Sequence, residues 1–522
     1  MRSASTRWLL ASVAACVLWA PASAGGPART LSRAVLEDKI RGGWAGKMIG
    51  VSYGAPTEFR WNGRINDGEI TWSPERVSNA LNQDDLYVGM TLAETMERLG
   101  FEATTEQYGE AFKDSQYDLW HANAAARRLL DIGIKAPLSG HPRYNLHAND
   151  IDFQIEADFI GLMSPGLPRE SNTYCLRVGR VMNYGDGLYG GLFISGMYTA
   201  AYFETDVRKV VEQGLACLPP ESGFARLIRD VLAWSAEDPA DWKRTWQRIA
   251  DTWDRDESCP DGALRPFNID ARINAAYVAL GLLYGRGDFA RTVEIATRAG
   301  QDSDCNPSTA AGILGVMLGY SGIPETWKSG IPAVAGQKFA YTQSSLDDIC
   351  RTTLGRALRL VQMAGGTVAG DVVTIPAQEP AAVPLEQWSM GIPAARVGVA
   401  DSAWRVKGFS RRAGPQGPDA PARMTAGGPG AEAVLTFSGT AVSITGGLSP
   451  AGGRADVYLD GKPASPIDAY AGARTHDNAL WHTYGLPPGT HVLRIVTRAD
   501  ADPRSTGTDI SLFEAVVYRG GQ

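Results

Sequence analysis

Clusters of lysine and arginine are missing from this 522-residue sequence, whose formal net charge is −7 at pH 7. Nucleic acids and anionic membranes attract concentrated positive charge, so this balance argues against both as partners. Beyond residue 24 no stretch is long and apolar enough to span a bilayer. The H-E-x-x-H helix of zinc proteases does not occur, which argues against that enzyme class. With 44% hydrophobic and 20% charged residues, the composition is otherwise that of a globular protein.

Cysteine is scarce as well. The sequence has six cysteines, and one of them, Cys16, lies in an apolar stretch near the N-terminus. The other five form no C-x-x-C pair. Because five is an odd number, at least one thiol is expected to be free, and the sequence does not say how any others would pair.

The first residues have the pattern of a secretory signal. Arg2 and Arg7 precede an apolar run over residues 8–20, and small residues follow at 22–24. This predicts a signal peptide over residues 1–24 and a location in the periplasm or outside the cell. A minor alternative is a lipoprotein, because residues 13–16 resemble a lipidation box, although cleavage there would cut inside the apolar run.

Two parts of the chain differ in the period of their apolar residues. Over residues 34–365 the period is helical, and the segment 86–99 is predicted to be a helix that ends at Gly100. Two further helices follow from apolar positions three and four residues apart. They are Phe224, Leu227, Ile228, Val231 and Leu232 in the first, and Trp242, Trp246, Ile249 and Trp253 in the second.

Residues 366–391 are rich in Pro, Ala and Gly, which predicts a linker. Over residues 392–520 apolar residues alternate with polar ones, as at Val442 and Ile444, and turn signals separate the segments. The sequence therefore predicts a multi-domain protein in which an all-α domain precedes an all-β sandwich or jelly-roll domain.

Closely spaced carboxylates stand at the starts of two predicted helices. Asp302 and Asp304 precede a helix of small residues, and Asp84 and Asp85 begin another. Taken alone, one such pair has two equally good explanations, a metal site or a helix cap that accepts hydrogen bonds from backbone amides. Two pairs far apart in sequence also suit a shared site for Mg²⁺ or Mn²⁺, which prefer oxygen ligands. A glycine-rich helix end, residues 50–58, presents a fifth carboxylate.

Together, these motifs resemble those of the ADP-ribosylglycohydrolase family, which includes the dinitrogenase reductase-activating glycohydrolases. The similarity lies in G-x-P-x-E ending at Glu58, the pair Asp84 and Asp85, and G-x-D-x-D with Asp302 and Asp304. It covers roughly residues 36–365. The resemblance implies an all-α domain with two divalent cations, Mg²⁺ or Mn²⁺, bound by the four aspartates, and a catalytic role for Glu58.

Three positions depart from the family pattern. Gln83 and Cys305 stand where the family usually or often has threonine, and Lys47 replaces a frequent aspartate. Gln83 still offers an amide oxygen, whereas the thiol of Cys305 is a soft, poor ligand for Mg²⁺. Metal binding is expected to survive these changes. These three changes affect the prediction of the substrate more than the prediction of metal binding.

Polar and aromatic residues are unusually dense between the two acidic motifs. Such mixed surfaces suit sugars, with rings packing on aromatic side chains and hydroxyls bonding to amides and carboxylates. The alternative is a set of buried hydrogen-bond networks and helix caps. The candidate substrate-binding residues are Trp120, His121, Asn123, Asp150, Asp152, Asn183 and Asp186. In the β half, the segment 481–484 is either a sugar platform or part of the seam between the domains.

The expected function is a secreted, metal-dependent glycohydrolase that cleaves an ADP-ribosyl, ribosyl or related furanosyl linkage. Its substrate would be a small molecule or glycan that contains a furanose ring. The alternative is a non-catalytic glycan- or nucleoside-binding protein built on the same scaffold. The sequence does not predict the oligomeric state.

Overall fold

The protein is described by a computed structural model over residues 27–255, 257–413 and 422–520. The predicted signal peptide lies outside these residues. A helical part is followed by a β part, which confirms the predicted fold class. None of the helices in the described ranges is both long and apolar enough to cross a bilayer.

Helices fill most of the N-terminal part, with short 3-10 turns at Ala55–Thr57, Pro74–Asn82 and Leu138–Gly140. The α-helices are α1 (Arg33–Gly54), α2 (Asp84–Leu99), α3 (Thr105–Lys113), α4 (His121–Asp131), α5 (Asp152–Glu156), α6 (Asp158–Leu162), α7 (Pro168–Gly179), α8 (Asp186–Ala201), α9 (Val207–Leu215), α10 (Gly223–Glu237), α11 (Trp242–Trp253), α12 (Ala271–Gly285), α13 (Phe289–Arg298), α14 (Cys305–Gly322), α15 (Glu325–Lys328), α16 (Ile331–Val334) and α17 (Leu346–Met363).

Strands occur in three sheets. Their bounds are β1 (Arg29–Ser32), β2 (Thr367–Ala369), β3 (Val372–Ile375), β4 (Ile392–Gly398), β5 (Trp404–Lys407), β6 (Ser410–Arg412), β7 (Arg423–Gly427), β8 (Glu432–Gly439), β9 (Ala441–Leu448), β10 (Gly453–Leu459), β11 (Lys462–Pro463), β12 (Ile467–Asp468), β13 (Thr475–Thr483), β14 (Gly489–Ala501) and β15 (Asp509–Arg519).

The predicted helical stripes are buried where they were expected. All five apolar residues named on α10 are buried, and on α11 Trp246 and Ile249 are buried while Trp242 and Trp253 pack at the edge. Helix α2 ends at Gly100, whose φ of +85° is a conformation that favours glycine. Spacing of apolar residues therefore predicted both the helices and their inward faces.

A row of glycines fixes the contact between α1 and α14, the pair that carries two of the acidic motifs. Gly42, Gly46, Gly50 and Gly54 recur at every fourth residue of α1 and so share one face. A Cβ built on any of them would lie 2.1–2.2 Å from a backbone oxygen in or just before α14. Only glycine allows this approach, which brings the C-terminal end of α1 against the N-terminal end of α14.

The smallest sheet belongs to the helical part, with strand order β1-β3-β2 and antiparallel pairing. Val373 and Ile375 of β3 are fully buried in the helical core. The segment predicted as a linker, 366–391, thus begins with a hairpin that packs on the helices. The rest of it follows the helical surface; the Trp388 indole, for example, donates to Asn149 at 2.8 Å.

Two antiparallel sheets form the C-terminal sandwich. One has the order β11-β10-β14-β8-β5, with β12 beside β10, and the other β13-β9-β15-β7-β6, with β4 beside β15. Val442 and Ile444 of β9 point into the sandwich core as predicted. Ser443 and Thr445, between and beyond them, are also buried, so β9 is covered on both faces.

The cover comes from the helical part, which packs against the second sheet. Apolar residues from both parts, Leu146, Ala263, Met390, Ala441, Val516 and Tyr518, form a small core of their own. His482 donates to the carbonyl of Pro142 at 2.6 Å across this seam, whereas Trp481 is buried and donates to Ser465 within the sandwich. These contacts favour the seam over a sugar platform.

Candidate metal centre and active site

Glu58 follows the C-terminal end of α1 after one 3-10 turn, and hydrogen bonds hold this turn against the loop that precedes α14. The Thr57 hydroxyl lies 2.8 Å from the Ser303 hydroxyl, and the Phe59 N–H donates to the carbonyl of Gln301 at 3.3 Å. The glycine row of α1 therefore continues into a turn that delivers Glu58 beside the second acidic motif.

Asp302 and Asp304 occupy that loop, and each is only 2% exposed. The loop is positioned by Asn274 of α12, whose side-chain oxygen accepts the N–H of Asp302 at 3.4 Å and the amide of Asn306 at 2.9 Å. Asp304 stands at the N-cap position of α14 but its side chain makes no capping hydrogen bond. The explanation of Asp304 as a simple helix cap therefore does not hold.

The first acidic motif comes to the same place. Asp85 is 1% exposed and accepts a hydrogen bond from the thiol of Cys305 at 3.4 Å. One oxygen or sulfur atom from each of Asp85, Asp304 and Cys305 lies within 4.8 Å of the others, and the same holds for Glu58, Asp302 and Asp304. Asp304 joins the two groups, which we call together the carboxylate cluster.

Mutual repulsion and burial both act on these carboxyl groups. Glu58 is exposed as a whole residue, but its carboxyl group is partly desolvated. This desolvation, then the charges of Asp302 and Asp84, raises the pKa of Glu58 to about 8. Burial, then Asp302, raise the pKa of Asp84 to about 6. Lys47 partly offsets the repulsion on Asp84, and its ammonium group pairs with Asp158 at 2.8 Å. One buried lysine does not balance the charge of this many carboxyl groups, so their ionised forms need additional positive charge nearby.

The hydrogen bonding of the carboxylate cluster also indicates a place for a cation. Each of Asp85, Asp302 and Asp304 has a buried Oδ1 atom without a hydrogen-bond partner among the described residues. Buried polar atoms nearly always find a partner, and carboxylate oxygens without one suit a divalent cation. The chemistry of the donors therefore fits Mg²⁺ or Mn²⁺, with the thiol of Cys305 the one soft group in the cluster.

Some of the predicted substrate-binding residues lie next to this cluster. Asp152 accepts the N–H groups of Ala122 and Asn123 at 3.1 and 2.9 Å, and so caps the start of α4. The side chain of Asn123 donates to Glu156 at 2.5 Å. The charge of Asp84 contributes to a raised pKa of Glu156, after burial and Asp152. Asn123 and Glu156 are both buried, so they form an interior hydrogen-bond network near the first acidic motif, and a role in substrate binding stays a prediction.

Other predicted residues have different surroundings. Trp120, just before α4, is 54% exposed. Asn183 donates to two backbone carbonyls of the segment 148–150, at 3.0 and 2.8 Å, and ties that loop to the start of α8. Asp186 lies 3.6 Å from the guanidinium of Arg272. These contacts give Asn183 and Asp186 structural partners, and their binding of a substrate stays a prediction.

His121 and Asp150, also predicted to bind substrate, lie in a separate group. Their side chains meet those of His147 and Cys259, and one donor atom from each of the four lies within 4.8 Å of the others. The ring of His121 stacks on Phe267 with 5.8 Å between centroids. No sequence pattern singles out Cys259, which comes from the loop between α11 and α12.

Two adjacent cavities open beside Glu58. The first, of about 620 Å³, is lined by Glu58 and by carboxamides, including Asn79 and Gln83. The second, of about 520 Å³, is lined by three arginines and one tryptophan, together with one acidic residue, Glu69. The arginines are Arg60, Arg64 and Arg76, and the tryptophan is Trp61. Pro56 and Arg76 line both cavities.

The helical domain brings buried carboxylates together at the meeting point of α1, α2 and α14, an arrangement that could hold divalent cations. The family model for ADP-ribosylglycohydrolase matches residues 32–362. The chain therefore belongs to the ADP-ribosylglycohydrolase family, which confirms the resemblance in sequence. Membership supports a hydrolase that acts on glycosyl-type linkages.

Solved structures show weaker similarity. An ADP-ribosylglycohydrolase-related protein complex aligns over 62% of this chain and 98% of its own at 15% identity, with a TM-score of 0.40. A family two carbohydrate esterase from Cellvibrio japonicus aligns over 24% and 32% at 20% identity, with a TM-score of 0.18. The CBM36-1 domain of a multidomain xylanase from the hindgut metagenome of Trinervitermes trinervoides aligns over 24% and 98% at 15% identity, with a TM-score of 0.18. Comparison with curated proteins gives no match.

Proposed function

We propose that this protein is a divalent-cation-dependent hydrolase that cleaves the bond between the ribose of an ADP-ribosyl group and its acceptor. The observation that carries the proposal is the carboxylate cluster. Asp302 and Asp304 meet Asp85 and Glu58 from three separate segments, and three of the buried oxygens have no partner among the described residues. A purely structural cluster would leave its buried charges uncompensated.

Asp84, Asp85, Asp302 and Asp304 are the residues that would hold the cations. When bound, Mg²⁺ or Mn²⁺ would supply Lewis acidity toward the ribose hydroxyls and fix the sugar ring. The soft thiol of Cys305 favours neither ion, and its hydrogen bond to Asp85 gives it a supporting role.

Glu58 in its ionised form is the proposed general base. With a pKa raised to about 8 this form is the minor one at neutral pH, and the positive charge of bound cations would favour it. The Glu58 carboxylate stands at the edge of the cluster and lines the larger cavity, where a sugar would enter. In the proposed reaction, water bonds to the anomeric carbon and gives its proton to Glu58, while the bond from that carbon to the acceptor breaks. The electron pair leaves with the acceptor, which takes up a proton.

The second cavity favours a substrate with a diphosphate over a neutral furanoside. Three guanidinium groups, those of Arg60, Arg64 and Arg76, line it and would bind phosphate oxygens. The Arg64 guanidinium lies 4.6 Å from the centroid of the Trp61 ring, an arrangement that also suits a purine base. We further propose, from the N-terminal pattern alone, that the enzyme acts in the periplasm or outside the cell.

Release of sugar from a panel of substrates tests this function. The panel contains N- and O-linked ADP-ribosyl compounds, nucleosides and arabinofuranosides, each with Mg²⁺, with Mn²⁺ and after chelation. We expect cation-dependent release from the ADP-ribosyl compounds. Binding without release would support the alternative, a non-catalytic binding protein, and would contradict the proposal.

Variants sharpen the test. Asp304→Asn should abolish turnover, whereas Asp67→Asn, at an exposed aspartate outside the cluster, should not change it. Arg64→Ala should raise KM for ADP-ribosyl substrates more than tenfold and leave KM for a neutral nucleoside unchanged, because only the first carries phosphates. Arg226→Ala, at an exposed arginine of α10, is the matched control.

A further inference from the structure

A second group of metal-binding side chains lies outside the carboxylate cluster and shares no residue with it. We call it the histidine–cysteine cluster, and it consists of His121, His147, Asp150 and Cys259. Nδ1 of His147 lies 2.7 Å from Oδ2 of Asp150, Nδ1 of His121 lies 3.7 Å from the same oxygen, and Sγ of Cys259 lies 3.9 Å from Nδ1 of His121. The four donors come from three segments of the chain.

These separations are close to those of a tetrahedral site. Metal–nitrogen and metal–oxygen bonds of about 2.0–2.1 Å and a metal–sulfur bond of about 2.3 Å place neighbouring ligand atoms roughly 3.3–3.6 Å apart. The distances of 3.7 and 3.9 Å are roughly 0.3 Å longer than these values, and the 2.7 Å contact is about 0.6 Å shorter, so a bound metal requires small shifts of the side chains. Four protein donors around one point leave no open position.

The donor set selects the metal. Two imidazoles, one thiolate and one carboxylate are ligands that Zn²⁺ accepts, whereas Mg²⁺ prefers an all-oxygen shell. A dication with two neutral imidazoles and two anionic ligands has no net charge, which suits a buried position. Asp150 and Cys259 are both 0% exposed.

Charge around Asp150 supports a bound cation. The basic side chains that contact it among the described residues are those of His121 and His147, which carry a charge only when protonated, and neither a lysine nor an arginine forms an ion pair with it there. The negative charges of Asp152 and Asp270 repel the Asp150 carboxylate and so oppose its ionisation. In addition, Oδ1 of Asp150 is buried without a hydrogen-bond partner in the described part of the chain. A buried carboxylate in such surroundings is costly unless a cation compensates it.

Neighbouring groups hold the donors in place. Glu257 accepts the N–H of Cys259 at 2.8 Å and that of Ile269 at 3.1 Å, which fixes the cysteine loop. The N–H of His147 donates to Asn145 at 3.0 Å, and the Asn145 amide in turn donates to the carbonyl of Ala122, beside His121, at 3.2 Å. These bonds fix the backbone segments that carry the cysteine and the two histidines.

The cluster also lies at the seam between the two domains. Tyr518 of β15 donates to the carbonyl of Ser258 at 2.9 Å, next to the cysteine, and Arg396 of β4 donates to the carbonyls of Pro260 and Ala263 at 2.6 and 2.8 Å. The sandwich thus clamps the loop that supplies Cys259. A metal ion there would join this loop to the segments that carry the two histidines.

From this geometry we infer that the histidine–cysteine cluster binds one Zn²⁺ ion through four protein ligands, as a structural site that fastens the loop between α11 and α12 at the domain seam. The competing explanation is a cysteine nucleophile activated by histidine. A nucleophile must reach its substrate, and the thiol of Cys259 is fully buried.

Metal analysis of the full-length protein tests the inference. After equilibration with ZnCl₂ alone and desalting, we expect one equivalent of zinc per chain. With Co²⁺ in place of zinc, we expect the intense visible bands of a tetrahedral site and a thiolate-to-cobalt charge-transfer band. A wild-type protein without bound zinc or without that charge-transfer band overturns the inference, and this result requires no variant.

Variants then assign the ligands. Cys259→Ser should lose the charge-transfer band, and His147→Gln should lower zinc content to less than a tenth. Cys175→Ser, at another buried free cysteine, and His141→Gln should keep full zinc. Circular dichroism confirms the fold of each variant, and unchanged zinc in folded Cys259→Ser and His147→Gln refutes the site.

Two further measurements separate this site from the carboxylate cluster. Asp304→Asn should keep its zinc even though it loses Mn²⁺ affinity, so failure of one site does not imply failure of the other. Chelation should lower the Tm of the wild-type protein, and zinc but not excess Mg²⁺ should restore it. Rapid alkylation of Cys259 in the zinc-loaded protein would favour the nucleophile instead.

Discussion

Replacing Gly54 with alanine tests how the active site is assembled. The added Cβ would lie 2.1 Å from the carbonyl oxygen of Ser303 and 2.5 Å from the Cα of Asp304. An ordinary contact needs roughly 3.4 Å, so the acidic loop must move by about 1.3 Å. Both neighbours are backbone atoms, which cannot rotate away, so the cost lies near the upper end of overpacking, about 3 kcal/mol.

Two readouts follow for Gly54→Ala. The Tm should fall by roughly 6 °C, because about 2 °C accompanies each kcal/mol in a large domain. The turnover number should fall by about 100-fold, since a displacement near 1 Å disturbs the alignment of catalytic groups that much. Thermal unfolding measures the first, and Mn²⁺ titration calorimetry with steady-state kinetics measures the second.

Matched glycines separate local displacement from general loss of stability. Gly46→Ala makes an equally close contact, 2.2 Å from the carbonyl of Ala311, but lies eight residues away from Gly54, or about 12 Å along α1. It should lower the Tm similarly and reduce Mn²⁺ affinity much less. Gly355→Ala, in α17 with nothing near its Cβ, should stabilise the protein by about 0.5–1 kcal/mol. Equal losses of Mn²⁺ affinity in Gly46→Ala and Gly54→Ala would refute the reasoning.

Other parts of the molecule give three more tests. Cys305→Ser should retain Mn²⁺ affinity, because a hydroxyl can replace the thiol's hydrogen bond; a large loss in calorimetry would make the thiol a ligand. The pKa of His491 is raised above 6.5 by its 2.7 Å contact with Asp460, so the stabilisation is present below pH 6.5 and is lost as the pH rises through the raised pKa. NMR titration of Asp460→Asn should return the pKa toward 6.5, and an unchanged value would exclude the carboxylate as the cause. A chain ending at Ala369 should melt well below one ending at Gly391, since it loses β3 from the helical core, and equal Tm values would contradict that packing.

Local patterns predicted much of the fold because they report on single elements. The stripe on α10 and the stop at Gly100 depend only on the period of apolar residues and on one backbone angle. The pairing of β1 with β3 joins residues 29–32 to residues 372–375, and no local sequence pattern predicts this pairing. Burial of Ser443 on β9 was likewise unpredictable, because the helical domain that covers this face lies far away in sequence.

The two proposed metal sites differ in how far the sequence predicts them. Each acidic pair stands at the start of a helix, and the glycines of α1 already imply a close helix contact, so the carboxylate cluster was within reach of sequence reasoning. Cys259 lies 138 residues from His121. Its loop is held by Glu257 within the helical domain and by Tyr518 of the sandwich. A site whose donors are brought together by tertiary packing leaves no spacing to recognise. For this reason the sequence predicted no role for Cys259, and a measurement of metal content is the decisive test of the histidine–cysteine cluster.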